Sequence, residues 1–209
     1  MSTTETSQKK TPASTRDSGS QLTAENRSVV VGDSLVYRGF GNAQTDAPPL
    51  LCLQYFCGNL DNWDPALVDR LAQDREVILL ANRGVGASTG VVPDNVTDMT
   101  RDVLRFIDAP ELKQVDVLGF SLGGYIAQEL ALLLPRQVRR IVLAGTAPQG
   151  TPNIHRWTDD VYALATPEEV SADRFISLFF SGSGSGTRPR PQESTARRST
   201  LPAGHRTRG

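Results

Sequence analysis

Residues 50–56 read Leu-Leu-Cys-Leu-Gln-Tyr-Phe, almost without polar interruption, between prolines on one side and Gly58 on the other. A strand with one face in water alternates apolar and polar positions, so an unalternating run predicts a strand buried on both faces. Residues 76–81, with Val77, Ile78, Leu79 and Leu80, have the same character, residues 114–120 read as a short inner strand, and residues 140–144 give one more strand. Between them lie segments of helical period. Asp64-Pro65, an N-cap followed by a first-turn proline, precedes Leu67, Val68 and Leu71. Val96, Met99, Val103, Phe106 and Ile107 mark one face of a helix that ends near Ala109-Pro110. Residues 122–134 are almost wholly apolar and stop at Pro135, which cannot continue a helix. Two short strands, 29–31 and 34–38, form a hairpin around Val31-Gly32-Asp33. Trp157, Val161 and Leu164 give a short helical face, and Thr166-Pro167-Glu168-Glu169 is a capping box opening a helix toward Phe179 and Phe180. Repeated alternation of strand and helix predicts an α/β fold, a mostly parallel sheet with helices on both faces.

The candidate chemistry sits where one of these strands meets its helix, in Gly119-Phe120-Ser121-Leu122-Gly123-Gly124. A serine raised on a sharp strand-to-helix turn brings the two backbones together, and Gly119 and Gly123 supply the room that side chains would fill. The turn also sets Ser121 at a helix N-terminus, where free N–H groups and the positive end of the dipole face any oxyanion that forms. The Leu122 N–H is the first donor. In contrast, the loop Asn82-Arg83-Gly84-Val85-Gly86-Ala87-Ser88-Thr89-Gly90 is no dinucleotide fingerprint, because its glycines do not fit G-x-G-x-x-G and no helix opens inside it. It reads as a structural turn.

Composition divides the chain. Residues 1–26 are rich in Ser and Thr with no aromatic, and are expected to be a disordered tail. Residues 27–153 carry the strand–helix pattern, 154–180 continue it with helices, and 181–209 switch to Gly-Ser repeats and Arg-Pro sequence. That last stretch has six arginines against one glutamate, so 16 basic and 22 acidic groups, net −6, fall on residues 1–180. No aromatic interleaves the arginines, and a solvated, disordered basic tail is expected rather than a nucleic-acid site. Cys52 and Cys57 suggest neither a disulfide framework nor a metal site. With no apolar run of membrane-spanning length and no signal-peptide pattern, the expectation is a cytoplasmic protein without membrane association.

Several segments together resemble the α/β-hydrolase family over about residues 29–180: residues 53–59 followed by Asp61-Asn62-Trp63; residues 82–88; Gly119-Phe120-Ser121-Leu122-Gly123-Gly124; and Pro135-Arg136-Gln137-Val138 leading into residues 141–146. The resemblance implies a serine hydrolase with no cofactor and no metal. Ser121 would be the nucleophile, and the oxyanion hole would pair the Leu122 N–H with that of Phe56 or Cys57. A small ester, thioester or lactone-like acyl compound would be the substrate, and residues 154–180 would begin a lid.

The resemblance also implies a triad acid after a seventh strand and a histidine after an eighth, and the strand pattern here stops after the sixth. The histidines are His155, a weak candidate for the base, and His205 in the arginine-rich stretch. A serine hydroxyl needs a positioned base, so impaired catalysis is expected, with a non-catalytic remnant or small-molecule-binding protein as the competing reading. The abrupt change at Ser181 reads as a truncated or frame-shifted ending on a hydrolase core.

Overall fold

A computed structural model of the protein describes residues 19–109 and 112–152, with a few single positions beyond. The chain divides into two units, Met1–Pro152 and Asn153–Gly209. The helices expected around Trp157 and after Thr166 and the basic stretch lie outside the described residues, as does His155.

Along the first unit the chain forms β1 (Asn26–Val31), β2 (Asp33–Gly41), β3 (Leu50–Leu53), a 3₁₀ turn (Leu60–Asn62), α1 (Pro65–Ala72), β4 (Glu76–Leu80), α2 (Val96–Asp108), β5 (Val115–Phe120), α3 (Leu122–Leu133) and β6 (Val138–Ala144). Six strands make one sheet in the order β1-β2-β4-β3-β5-β6. The β1–β2 hairpin is antiparallel, β2 runs antiparallel to β4, and β4, β3, β5 and β6 are parallel to one another. The mostly parallel α/β sheet expected from the pattern is present.

Both faces of the inner strands are covered, which is why their sequences do not alternate. Leu51, Leu53, Ile78, Leu80, Val115 and Val117 pack with Met99, Val103, Phe106 and Ile107 of α2 and Ile126, Ala127 and Leu130 of α3. Their neighbours Leu50, Cys52, Val77, Leu79 and Leu118 face the other way, onto Leu60, Trp63 and the α1 residues Val68 and Ala72. The helix starts follow the capping rules: the Asp64 carboxylate accepts the Ala66 N–H ahead of Pro65, and Asn95 accepts the Asp98 N–H.

Three details differ from the sequence expectation. Residues 19–26, assigned to a disordered tail, are in part packed: Gln21 is 1% exposed, Ala24 is buried, and the Gln21 carbonyl accepts a 2.7 Å hydrogen bond from buried Arg38. A polar segment is held here by hydrogen bonds to the core rather than by its own apolar surface, a device that composition does not display. The strand expected over 50–56 stops at Leu53, because the Gln54 carbonyl is taken by α3 and the chain turns over residues 55–58. Leu67, expected on the apolar face of α1, is 47% exposed, and Val68 and Ala72 carry that face instead.

At the N-terminal end of β5, the buried Asp116 carboxylate receives Arg139 through two hydrogen bonds, at 2.9 and 2.6 Å, and Arg75 at 2.6 Å. Burial pushes its pKa up, but the hydrogen bonds and charges of Arg139 and Arg75 together outweigh burial and hold it below the ordinary value. Because the folded-state pKa lies below the unfolded one, the stabilisation is complete above about pH 4 and is lost as pH falls through the lowered value. Asp116→Asn is expected to destabilise the fold by about 1–2 kcal/mol at neutral pH, since it removes the charge that pairs two guanidinium groups which water still partly reaches. In urea melts from pH 7 to pH 2, the gap between wild type and variant should close below about pH 4.

Candidate active site

The chain leaves β3 toward α1 on one face of the sheet and leaves β5 toward α3 on the other. Adjacent parallel strands whose connections diverge open a crevice at their C-terminal ends, the usual ligand position in an open α/β sheet. Register places Leu53 beside Gly119. The crevice is therefore bounded by residues 54–58 on one side and by Ser121 on the other.

Ser121 occupies a backbone conformation rare for a residue with a side chain, φ 52°, ψ −113°. Its N–H donates to the Ala144 carbonyl at 2.8 Å, so the strained residue is anchored to the end of β6. A Cβ on Gly119 would run into the backbone of Gly123 and Gly124, and one on Gly123 would overlap the Leu53 carbonyl. The glycine spacing is thus a packing requirement of the tight elbow, as expected.

Hydrogen bonding at the head of α3 does not take up the first amide of the helix among the described residues. The Gly123 N–H donates to the Gln54 carbonyl at 3.1 Å and the Gly124 N–H to the Ser121 carbonyl at 2.9 Å, while no side chain caps the helix. Among the described residues the Leu122 N–H has no acceptor. Across the crevice, the Gly58 N–H closes a turn onto the Tyr55 carbonyl at 3.0 Å, with Cys57 at φ 61°, and the Tyr55 N–H donates to the Gln54 Oε1 at 3.0 Å. The amides of Phe56 and Cys57 are left, again without acceptors among the described residues. The two expected donor groups thus stand on neighbouring strand ends, and a positive helix terminus faces the gap. Such an arrangement can stabilise negative charge that develops on the oxygen of a carbonyl group bound beside Ser121.

Cys57 also carries a nucleophilic atom type at the crevice, and burial pushes its thiol pKa up. A thiol held protonated at neutral pH attacks weakly. Tyr55 is also raised, by burial first and then by the Cys57 charge. Phe56 is 68% exposed, so its side chain leaves the turn's backbone open.

The described residues bring together Ser121, Leu122, Phe56 and Cys57; His155 lies outside them. Among them no group of three or more His, Cys, Asp or Glu is placed to hold a metal, and no helix is long and apolar enough to cross a membrane. A cavity of about 810 Å³ lined by Gly41, Asn42, Asp69 and Gln73 holds none of the site residues. It sits by the pairing of Gly41 with Glu76, at the opposite end of the strands. The glycine-rich loop after β4 is a structural turn: the Ser88 hydroxyl accepts the Val36 N–H and donates to the Ala81 carbonyl, and the Thr89 N–H donates to the Ser34 carbonyl. Sequence reasoning missed Gln54, buried at the end of β3, whose main-chain carbonyl ties the two sides of the crevice together. A backbone acceptor leaves no mark on residue type.

With this geometry in place, the comparisons agree on the class of protein. The family model for the alpha/beta hydrolase fold matches residues 48–195, and the chain belongs to that family. A solved alpha/beta hydrolase fold protein from Chitinophaga pinensis is similar at 41% identity and a TM-score of 0.72, over 79% of this chain and 59% of that one. A protein of Azorhizobium caulinodans with the provisional name carbamate hydrolase RutD is 34% identical over 54% of this chain and 41% of its own length. The 3-oxoadipate enol-lactonase 2 of Acinetobacter baylyi is 33% identical over 54% of this chain and 43% of its own length. The chain spans less than half the length of these two relatives.

Gly123→Ala is expected to lose on the order of 3 kcal/mol or more, because its methyl group would overlap the Leu53 carbonyl. Gly39→Ala, where the nearest atom to a new Cβ is 3.6 Å away, should stay within about 1 kcal/mol of wild type. Chemical denaturation of the two variants measures the difference.

Proposed function

We propose that this chain carries the nucleophile and oxyanion hole of a serine hydrolase acting on a small acyl substrate, an ester, thioester, lactone or related carbonyl compound. The observation that supports it most is Ser121 at φ 52° on a glycine-flanked elbow, with amides that lack acceptors among the described residues on the two neighbouring strand ends. In this reading the Ser121 Oγ attacks the substrate carbonyl, its proton passes to a base, and the oxyanion is held by the Leu122 N–H and that of Phe56 or Cys57. Collapse of the tetrahedral species expels the leaving group, and water then releases the acyl group from Ser121. The names of two relatives, a carbamate hydrolase and an enol-lactonase, share one chemical feature, a carbonyl carbon bonded to a heteroatom that departs. The reading requires neither cofactor nor metal, neither nucleic acid nor membrane, and places the reaction in the cytoplasm.

Turnover by this chain is proposed to be impaired. Its histidines are His155 and His205, and the described residues bring no base to Ser121. Loss of triad members costs several powers of ten while the oxyanion hole still contributes. In this reading the chain is a hydrolase rather than a binding protein.

A fluorophosphonate probe read by intact mass should add slowly, reaching one adduct per chain on long incubation, and Ser121→Ala should abolish the adduct. Hydrolysis of p-nitrophenyl acetate should run on the order of 10⁴-fold or more below a complete triad enzyme. Folded, soluble protein that takes no label would exclude an activated Ser121 and favour the binding-protein reading.

A further inference from the structure

We infer that Tyr55 is a positioning residue, whose ring, packed edge-on against Phe120, sets the distance between the two groups of oxyanion donors. The inference rests on the reading of Ser121 as nucleophile. The Tyr55 and Phe120 ring centroids are 5.6 Å apart with an interplanar angle of 77°, the edge-to-face geometry that aromatic pairs favour. Each ring sits next to the chemistry. Tyr55 opens the turn bearing the Phe56 and Cys57 amides, and Phe120 immediately precedes Ser121 and the Leu122 amide.

Neither ring is free to drift. Main-chain closure from Gly58 and the Gln54 Oε1 fix the Tyr55 backbone. Phe120 lies against Gly145, where a Cβ would come within 2.9 Å of its ring and where φ is 56°. Among the described residues a single hydrogen bond, from the Gly123 N–H to the Gln54 carbonyl, crosses between the end of β3 and the head of α3. One bond acts as a hinge: it fixes one distance and leaves rotation about it. The ring pair supplies a second point of contact, and two points define the spacing of the amides. No hydrogen bond of the Tyr55 hydroxyl enters this account, so the ring and not the hydroxyl carries the role.

Two measurements test it: the fluorophosphonate reaction resolved into maximal rate and half-saturating probe concentration, and amide hydrogen exchange at Gly123. For Tyr55→Ala, and for Tyr55→Leu as a variant that keeps apolar volume, the maximal labelling rate should fall about 10- to 100-fold with half-saturation unchanged. Exchange at Gly123 should quicken at least about tenfold. Tyr55→Phe should restore wild-type values in both. Unchanged labelling in the folded Ala and Leu variants, a change confined to half-saturation, or a Phe variant as slow as Ala each overturns the role. If wild type takes no label, the Ser121 reading fails, and exchange alone decides the clamp: faster exchange at Gly123 restored by Tyr55→Phe upholds it, and unaltered exchange overturns it.

Discussion

The close approach of the first turn of α3 to the end of β3 is the constraint on which the site depends. It consists of one hydrogen bond, Gly123 N–H to Gln54 carbonyl, and of a glycine whose α-carbon lies so near the Leu53 carbonyl that no side chain fits. That approach takes the Gly123 amide out of the reckoning, stops β3 at Leu53, and sends the chain into the turn at Tyr55. It also holds Ser121 in its unusual conformation, because the residue must leave β5 and enter α3 within one step. Strain of this kind persists only when the surroundings over-determine it. Here they do so through the Ala144 carbonyl, the Gln54 carbonyl and two glycines.

The two ends of the parallel strands do different work. At the N-terminal end a buried charge is paired: Asp116 takes hydrogen bonds from both Arg75 and Arg139. At the C-terminal end the opposite holds, and the amides of Leu122, Phe56 and Cys57 lack acceptors among the described residues. Unbonded donors are unfavourable unless water or a ligand meets them. Placing them where connections diverge to opposite faces of the sheet keeps them at a crevice, open to either. Stability and chemistry are thus separated along the strand axis, and the cavity beside Gly41 and Asp69 falls at the structural end.

Much of this was legible in the residues, for physical reasons that also mark where legibility stops. Unalternating runs such as 77–80 announce burial on both faces, and the structure divides them between two helical layers. Asp64-Pro65 and Asn95 announce helix starts, and the elbow is written in its glycines. The packing of Gln21 was not legible, because a polar residue held by hydrogen bonds resembles one left in solvent. Nor was the carbonyl of Gln54, since every residue but its neighbours' geometry offers the same acceptor. Tyr55 and Phe120, 65 positions apart, meet only because β3 and β5 are adjacent, a fact of topology that neither local pattern contains.

In the proposed reading the site also separates two contributions to acyl transfer that usually come as one. Oxyanion stabilisation needs amides at fixed positions, and those amides come from residues 54–58 and 121–124, joined through one strand pair. Proton removal from Ser121 needs a base whose position depends on other parts of a hydrolase. The first contribution is preorganised by the core sheet itself and survives when the second is lost, which is why hydrolases stripped of triad members retain measurable catalysis. On that reading, a sheet that forms the elbow and the facing turn forms a binding site for developing negative charge, whether or not a base completes it.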